Sequence, residues 1–318
     1  MITLNTIYQA RDRVKPYIVK TPLIRLQNLD EFTGCKVYAK LENMQNTKAF
    51  KLRGAMNKIL SLDETEKEAG IICSSSGNHG QAVSYAAKLL GIKATIVIPE
   101  TAPKFKVEAI RQHGAATEFC TVDDRFIITE RLAEKHGYTI VPPFEDELVM
   151  AGQGTVGLEI MEEGTSFDHV LVPASGGGLI GGVSTALKES GFKGKVHGVE
   201  PDKLPRYTKS LEAGEPVQLE SKKTIADALV VNRPGDLNFE VVQKHVDGFL
   251  TVSDETMLKA QKIMLMEGKI LAEVSSCIGL GALIDGKLDV SKEDEVCLVV
   301  SGGNLGFEQL ELLEGIEY

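Results

Sequence analysis

His169-Val170-Leu171-Val172-Pro173-Ala174-Ser175-Gly176-Gly177-Gly178-Leu179-Ile180-Gly181-Gly182 is the stretch that decides the fold class. It opens as a short apolar run rich in β-branched residues, passes through a turn with almost no side chains, and continues as a helix start. Strand, glycine turn and helix in that order form a β–α unit. At such a junction the backbone amides converge on the helix N-terminus, where hydrogen bonding and the helix dipole both favour a phosphate. Gly176, Gly178 and Gly181 also satisfy the G-x-G-x-x-G spacing, and Glu200 ends the following strand-like run. That pattern keeps a nicotinamide-dependent dehydrogenase open as a second reading.

Working outward, the same alternation recurs. Val37–Leu41, Gly70–Cys73, Ala94–Ile98, Val196–Val199 and Val296–Val300 read as strands. Gln81–Leu90 carries Ala82, Val83, Ala86, Leu89 and Leu90 on one face and is stopped by Gly91. Strands alternating with helices predict an α/β protein of mainly parallel sheets, with ligands outside the carboxyl ends of the strands. Gly-, Pro- and acid-containing connections near 42–47 and 141–147 enclose a βαβα block. The expected organisation is two doubly wound, open parallel-sheet domains: a large one from 1–46 and 147–318, and a small one, 47–146, inserted in it.

Two further strand-to-helix segments carry chemistry. Phe50-Lys51-Leu52-Arg53-Gly54-Ala55 offers an amine, and Ser74-Ser75-Ser76-Gly77-Asn78-His79-Gly80 gathers hydroxyls, an amide and an imidazole at one corner. A helix cap needs only one Ser or Asn, so this density suits gripping a carboxylate and an aromatic hydroxyl. An amine beside one phosphate cradle and one carboxylate cradle points to a Schiff-base lysine and pyridoxal 5'-phosphate, in preference to a dinucleotide. Ser301-Gly302-Gly303-Asn304 follows another strand-like run and offers a neutral hydroxyl for a pyridine nitrogen.

The net charge of −10 argues against a nucleic-acid partner, which calls for a basic face. No apolar run approaches membrane-spanning length, and Met1–Asn5 lacks the pattern of a secretory signal. Cys35, Cys73, Cys120, Cys277 and Cys297 include no Cys-x-x-Cys pair and read as buried free thiols of a reducing compartment. The expected location is the cytoplasm.

Together the motifs resemble the fold-type II (tryptophan synthase beta-like) pyridoxal phosphate enzymes, specifically the threonine/serine dehydratase and serine racemase family, from Thr21-Pro22-Leu23 to Asn304. The resemblance implies a cofactor in the cleft between the two domains. It makes Lys51 the Schiff-base lysine and general base, with Phe50 against the ring and Asn78 bonded to the phenolic oxygen. Ser175, Gly176, Gly177, Gly178 and Leu179 correspond to the phosphate loop, and Ser301 to the partner of the pyridine nitrogen. Ser75 and His79 fall where the substrate carboxylate is held. A homodimer acting on a small hydroxy amino acid is what the family implies.

Within the family the positions pull in different directions. Ser76 matches the acid/base hydroxyl that racemases use on the face opposite the lysine, and a capping serine is its plain alternative. Arg125 matches an arginine reaching the substrate's side-chain end, which keeps 3-hydroxyaspartate in view. Thr224–Ala228, Val231 and Arg233-Pro234-Gly235 lean toward the dehydratases. Ala228 replaces the family's usual glycine, and Lys48-Ala49 its usual Gly-Ser. Glu200 matches a metal ligand of metal-activated racemases, yet Arg206 stands where an aspartate completes that site, so no metal is expected. The expectation is that Arg206 supplies a tethered positive charge paired to Glu200. Elimination of the hydroxyl from L-threonine or L-serine, giving a 2-oxo acid and ammonia, is the preferred activity, with serine racemisation beside it. A silent ligand-binding protein of this fold has no use for an intact Lys51.

Overall fold

The apolar runs pair into two sheets in the computed structural model, which describes residues 1–164 and 166–318. Ten strands are present among these residues: β1 (Leu23–Arg25), β2 (Lys36–Leu41), β3 (Ile71–Ser74), β4 (Ala94–Pro99), β5 (Ala116–Cys120), β6 (Thr139–Ile140), β7 (His169–Pro173), β8 (Lys195–Pro201), β9 (Gly248–Val252) and β10 (Glu295–Val300). The larger sheet has the order β1-β2-β10-β7-β8-β9 and the smaller β5-β4-β3-β6. Every pairing is parallel except that of β1 with β2.

Strand order places the site before any side chain is considered. In the larger sheet, β7, β8 and β9 run outward in sequence, and β10 returns between β2 and β7. The crevice at such a reversal opens outside the carboxyl ends of β7 and β10, where Ser175–Gly178 and Ser301–Asn304 follow. In the smaller sheet the reversal lies between β3 and β6, and Ser75–Gly80 follows β3.

The core explains why β7 and β10 read as continuous apolar runs. Leu171, Val296, Leu298 and Val300 belong to a cluster on one face with Ile278 and Met257. Their neighbours Val170, Val172, Cys297 and Val299 belong to a cluster on the other with Ile180 and Phe239. Alternate residues of each strand thus feed opposite faces, both covered by helices. All five cysteines are free and buried, as composition led one to expect.

The amphipathic helix after β3 spans Asn78–Leu90 and ends at Gly91 in the left-handed conformation, φ 70°. The helix Gly178–Glu189 follows β7. A third, Lys51–Leu60, is tied to β2 and to the helix Glu147–Glu162 by a buried ionic cluster. Arg53 bonds Glu42 (Nε–Oε2, 2.7 Å) and Glu159 (Nη1–Oε1, 2.7 Å), while Lys40 Nζ reaches Glu159 Oε2 at 2.5 Å and the Thr21 carbonyl at 2.6 Å. Arg53, Lys40 and Glu42 are inaccessible to solvent.

Candidate active site

Three helix N-termini meet at the crevice. Lys51 is the first residue of its helix, and the segment before it is sewn to the end of β10. Phe50 N donates to Ser301 O at 3.0 Å, Gly303 N to Lys48 O at 2.8 Å, and Ala49 bridges Gly302. Lys48 takes a left-handed φ of 57° to make this bend. The Lys51 amine donates to Pro143 O at 2.6 Å and lies 5.2 Å from the Phe50 ring centroid. Burial lowers its pKa to about 8, against the pull of the Glu273 carboxylate, which favours the ammonium form.

At the glycine turn, Gly177 has φ 101°, and a Cβ there would lie 1.8 Å from Tyr207 Oη. A Cβ on Gly176 would lie 2.4 Å from Phe144 Cγ. The turn must therefore be glycine, because side chains fill the space behind it. On its open side, the amides of Gly176, Gly177, Gly178 and Leu179 make no hydrogen bond among the described residues. Ser175 Oγ is buried without a partner among the described residues.

The serine turn is built alike. Gly77 N donates to Ser75 Oγ at 3.2 Å, and the amides of Ser76, Asn78, His79 and Gly80 are uncommitted among the described residues. Gly77 is the N-cap of the helix and no side chain caps it, so Ser76 is not spent on capping. Its hydroxyl is half-buried. His79 is buried with Nε2 at 2.8 Å from Val141 O; since a carbonyl only accepts, Nε2 carries the hydrogen. Burial, then the nearby Lys51, push its pKa down to about 3. The imidazole is neutral, and its unpartnered Nδ1 is an acceptor. A lone pair does not bind a carboxylate, so His79 braces this turn rather than donating from it.

Asn78 Nδ2 donates to Glu273 (2.9 Å to Oε1 and 3.2 Å to Oε2), and its Oδ1 accepts from Asn304 Nδ2 at 2.9 Å. Ser301 Oγ lies 2.9 Å from Ser276 Oγ, which also accepts the Gly302 amide at 2.8 Å. Glu273 is buried, and desolvation, then the negative charge of Asp227, raise its pKa to about 7. The structure thus gathers Phe50, Lys51, Asn78 and Ser301 in one network. Arg125 is not part of it. It starts the helix Arg125–His136 after the edge strand β5, stacks at 4.6 Å over Phe126 and forms no ion pair among the described residues.

The sequence pattern of the family described as "Pyridoxal-phosphate dependent enzyme" matches residues 14–302. The chain belongs to that family. It is 42% identical over 313 residues to an L-threonine ammonia-lyase of Thermotoga maritima, covering 98% of this chain and 78% of that one. It is 40% identical to the L-threonine dehydratase catabolic TdcB of Staphylococcus aureus, covering 96% and 90%. Among solved structures, maize serine racemase superposes with a TM-score of 0.93 at 35% identity, covering 98% of this chain and 96% of that one. The protein is accordingly an enzyme with pyridoxal phosphate as its cofactor. The site's own chemistry fits that group. An amine depressed toward neutrality suits an aldehyde, while free helix-terminal amides and an orphaned buried hydroxyl suit a phosphate.

The dinucleotide reading fails on a particular residue. Glu200, its candidate ribose ligand, is buried and accepts the amides of Tyr207 (3.0 and 2.9 Å) and Thr208 (3.4 Å). Arg206 meets expectation only in part: it faces Glu200 as a buried positive charge, but its guanidinium donates to Ala174 O and Leu229 O, both at 2.8 Å, and makes no direct bond to that carboxylate. Among the described residues no three His, Cys, Asp or Glu side chains converge as a metal site. Sequence reasoning missed Glu273, Ser276 and Pro143. Glu273 had a signal, being the one charge between Ile270 and Ile284; a carbonyl such as that of Pro143 has none.

Proposed function

We propose that the enzyme is an L-threonine/L-serine ammonia-lyase, removing the hydroxyl and amino groups of a small β-hydroxy amino acid to give a 2-oxo acid and ammonia. The observation that carries this is the Lys51 amine, buried at a pKa of about 8 between two amide cradles, in a chain 42% identical to an L-threonine ammonia-lyase. Pyridoxal phosphate supplies an electron sink that acidifies the Cα proton of an amino acid bonded to it. Lys51 holds the cofactor and serves as base for that proton. Ser175 and the amides of Gly176–Leu179 take the phosphate, and Ser301 offers a neutral hydroxyl to the ring nitrogen. A neutral partner leaves that nitrogen without the full protonation a carboxylate would enforce. Asn78, oriented by Glu273 and Asn304, donates to the phenolic oxygen, and Phe50 packs near the ring. Ser75 and the free amides of the serine turn hold the substrate carboxylate, with His79 bracing them.

Serine racemisation is the second activity, favoured by the uncapped Ser76 hydroxyl and the likeness to maize serine racemase. It requires a proton donor on the face opposite Lys51, whereas elimination is served by one lysine. Arg125 is retained as the residue that would favour 3-hydroxyaspartate. We further propose that 1–46 with 147–318 and 47–146 form the two domains, and that the enzyme is a cytoplasmic homodimer. Among the described residues no helix is long and apolar enough to cross a membrane. The test is incubation with L-serine, D-serine, L-threonine and the 3-hydroxyaspartate isomers, following oxo acid and enantiomer together. The expected result is oxo acid from L-threonine and L-serine, with Ser76→Ala abolishing racemisation and sparing elimination. No oxo acid from either substrate in a cofactor-loaded enzyme overturns the assignment.

A further inference from the structure

Arg206 and Tyr207, the first two residues of the helix Arg206–Ala213, lie directly behind the glycine turn and are both inaccessible to solvent. Arg206 Nη1 donates to Ala174 O at 2.8 Å, and Tyr207 Oη donates to Gly176 O at 3.2 Å. These two carbonyls matter because a trans peptide points its C=O and its N–H in opposite directions. The peptide bearing Ala174 O also bears the Ser175 amide, and that bearing Gly176 O also bears the Gly177 amide. Drawing each carbonyl backward turns each amide forward, toward the open side where no described residue takes it.

The brace is itself anchored. Glu200 accepts the Tyr207 and Thr208 amides and so caps this helix with a carboxylate, Arg206 Nη2 holds Leu229 O at 2.8 Å, and the Tyr207 ring stacks on Phe249 at 4.9 Å. A run of three glycines has unusual freedom in the unliganded chain. Ordering it only on binding would cost affinity, so a fixed rear wall pre-organises the cradle.

We propose that Arg206 and Tyr207 are positioning residues for the cofactor phosphate, aiming the Ser175 and Gly177 amides at it from behind. The inference rests on reading the glycine turn as the phosphate site. It is tested by titrating the full-length, cofactor-free chain with pyridoxal 5'-phosphate and with pyridoxal, which lacks the phosphate, reading the visible absorption of the bound form. The wild type is expected to prefer the phosphorylated compound strongly. In Tyr207→Phe, which keeps the stacked ring, and in Arg206→Lys, that preference should shrink by about tenfold, a loss typical of one misdirected buried hydrogen bond, while pyridoxal binds as before. An unchanged preference in both variants overturns the proposal, as does a parallel loss of both affinities, which a general loosening would give. If Arg206→Lys fails to fold by circular dichroism, Tyr207→Phe decides alone. A wild type without preference refutes instead the reading of the turn, and the brace with it.

Discussion

A lysine attacks an aldehyde only as the free amine, and the surroundings of Lys51 are arranged around that requirement. Removal from water opposes its charge, while Glu273 partly restores it, and the balance leaves the pKa at about 8. The rate at which cofactor-free protein takes up pyridoxal phosphate should therefore rise with pH through a midpoint near 8. Glu273→Gln removes the negative charge that favours the ammonium form, so the midpoint should move to lower pH. Stopped-flow absorbance across the pH range measures both, and a midpoint near the ordinary lysine value, or an upward move in the variant, contradicts the assignment. At this scale the sequence was informative about which residues meet at the crevice and silent about what tunes the amine. Glu273 lies far along the chain, and only folding brings it against Asn78.

Elements, not single residues, hold that amine in place. The helix beginning at Lys51 is clamped by Arg53, whose guanidinium bonds Glu42 and shares Glu159 with Lys40. Glu159→Ala would leave two buried cations with one carboxylate between them, and should cost about 3–5 kcal/mol of stability by urea unfolding, the range for breaking a buried pair. A loss below about 1 kcal/mol would show that the cluster does not anchor the helix. The clamp could not be read beforehand, because residues 40, 42, 53 and 159 share no local pattern. The strands were legible for the opposite reason. β7 and β10 are buried on both faces and so leave unbroken apolar runs, whereas β1 has three residues and β6 two, too few to show a period. The half-buried β9 and exposed β5 carry weaker patterns for the same physical cause.

For the whole molecule, two parallel sheets reverse their strand order at the points where the three motifs emerge, so topology and chemistry coincide. The dinucleotide spacing misleads only while it is read alone; Glu200, turned inward to cap a helix, removes its ribose partner. The same region carries a prediction. The Arg206 guanidinium fills the space among Ala174 O, Leu229 O and the facing Glu200, and its charge would repel a cation. Chelation should therefore leave oxo-acid production unchanged, with or without added magnesium. Loss on chelation and recovery with magnesium would place an essential ion in the enzyme.

Lys51 is the residue expected to carry the cofactor. The most direct measurement of this is borohydride reduction of the holoenzyme, followed by proteolysis and mass spectrometry of the peptides. The expected result is bleaching of the visible band, with the reduced pyridoxyl group on the peptide containing Lys51 and on no other, and neither signal in Lys51→Ala. A label on a different lysine, or a visible band that persists in Lys51→Ala, would contradict it.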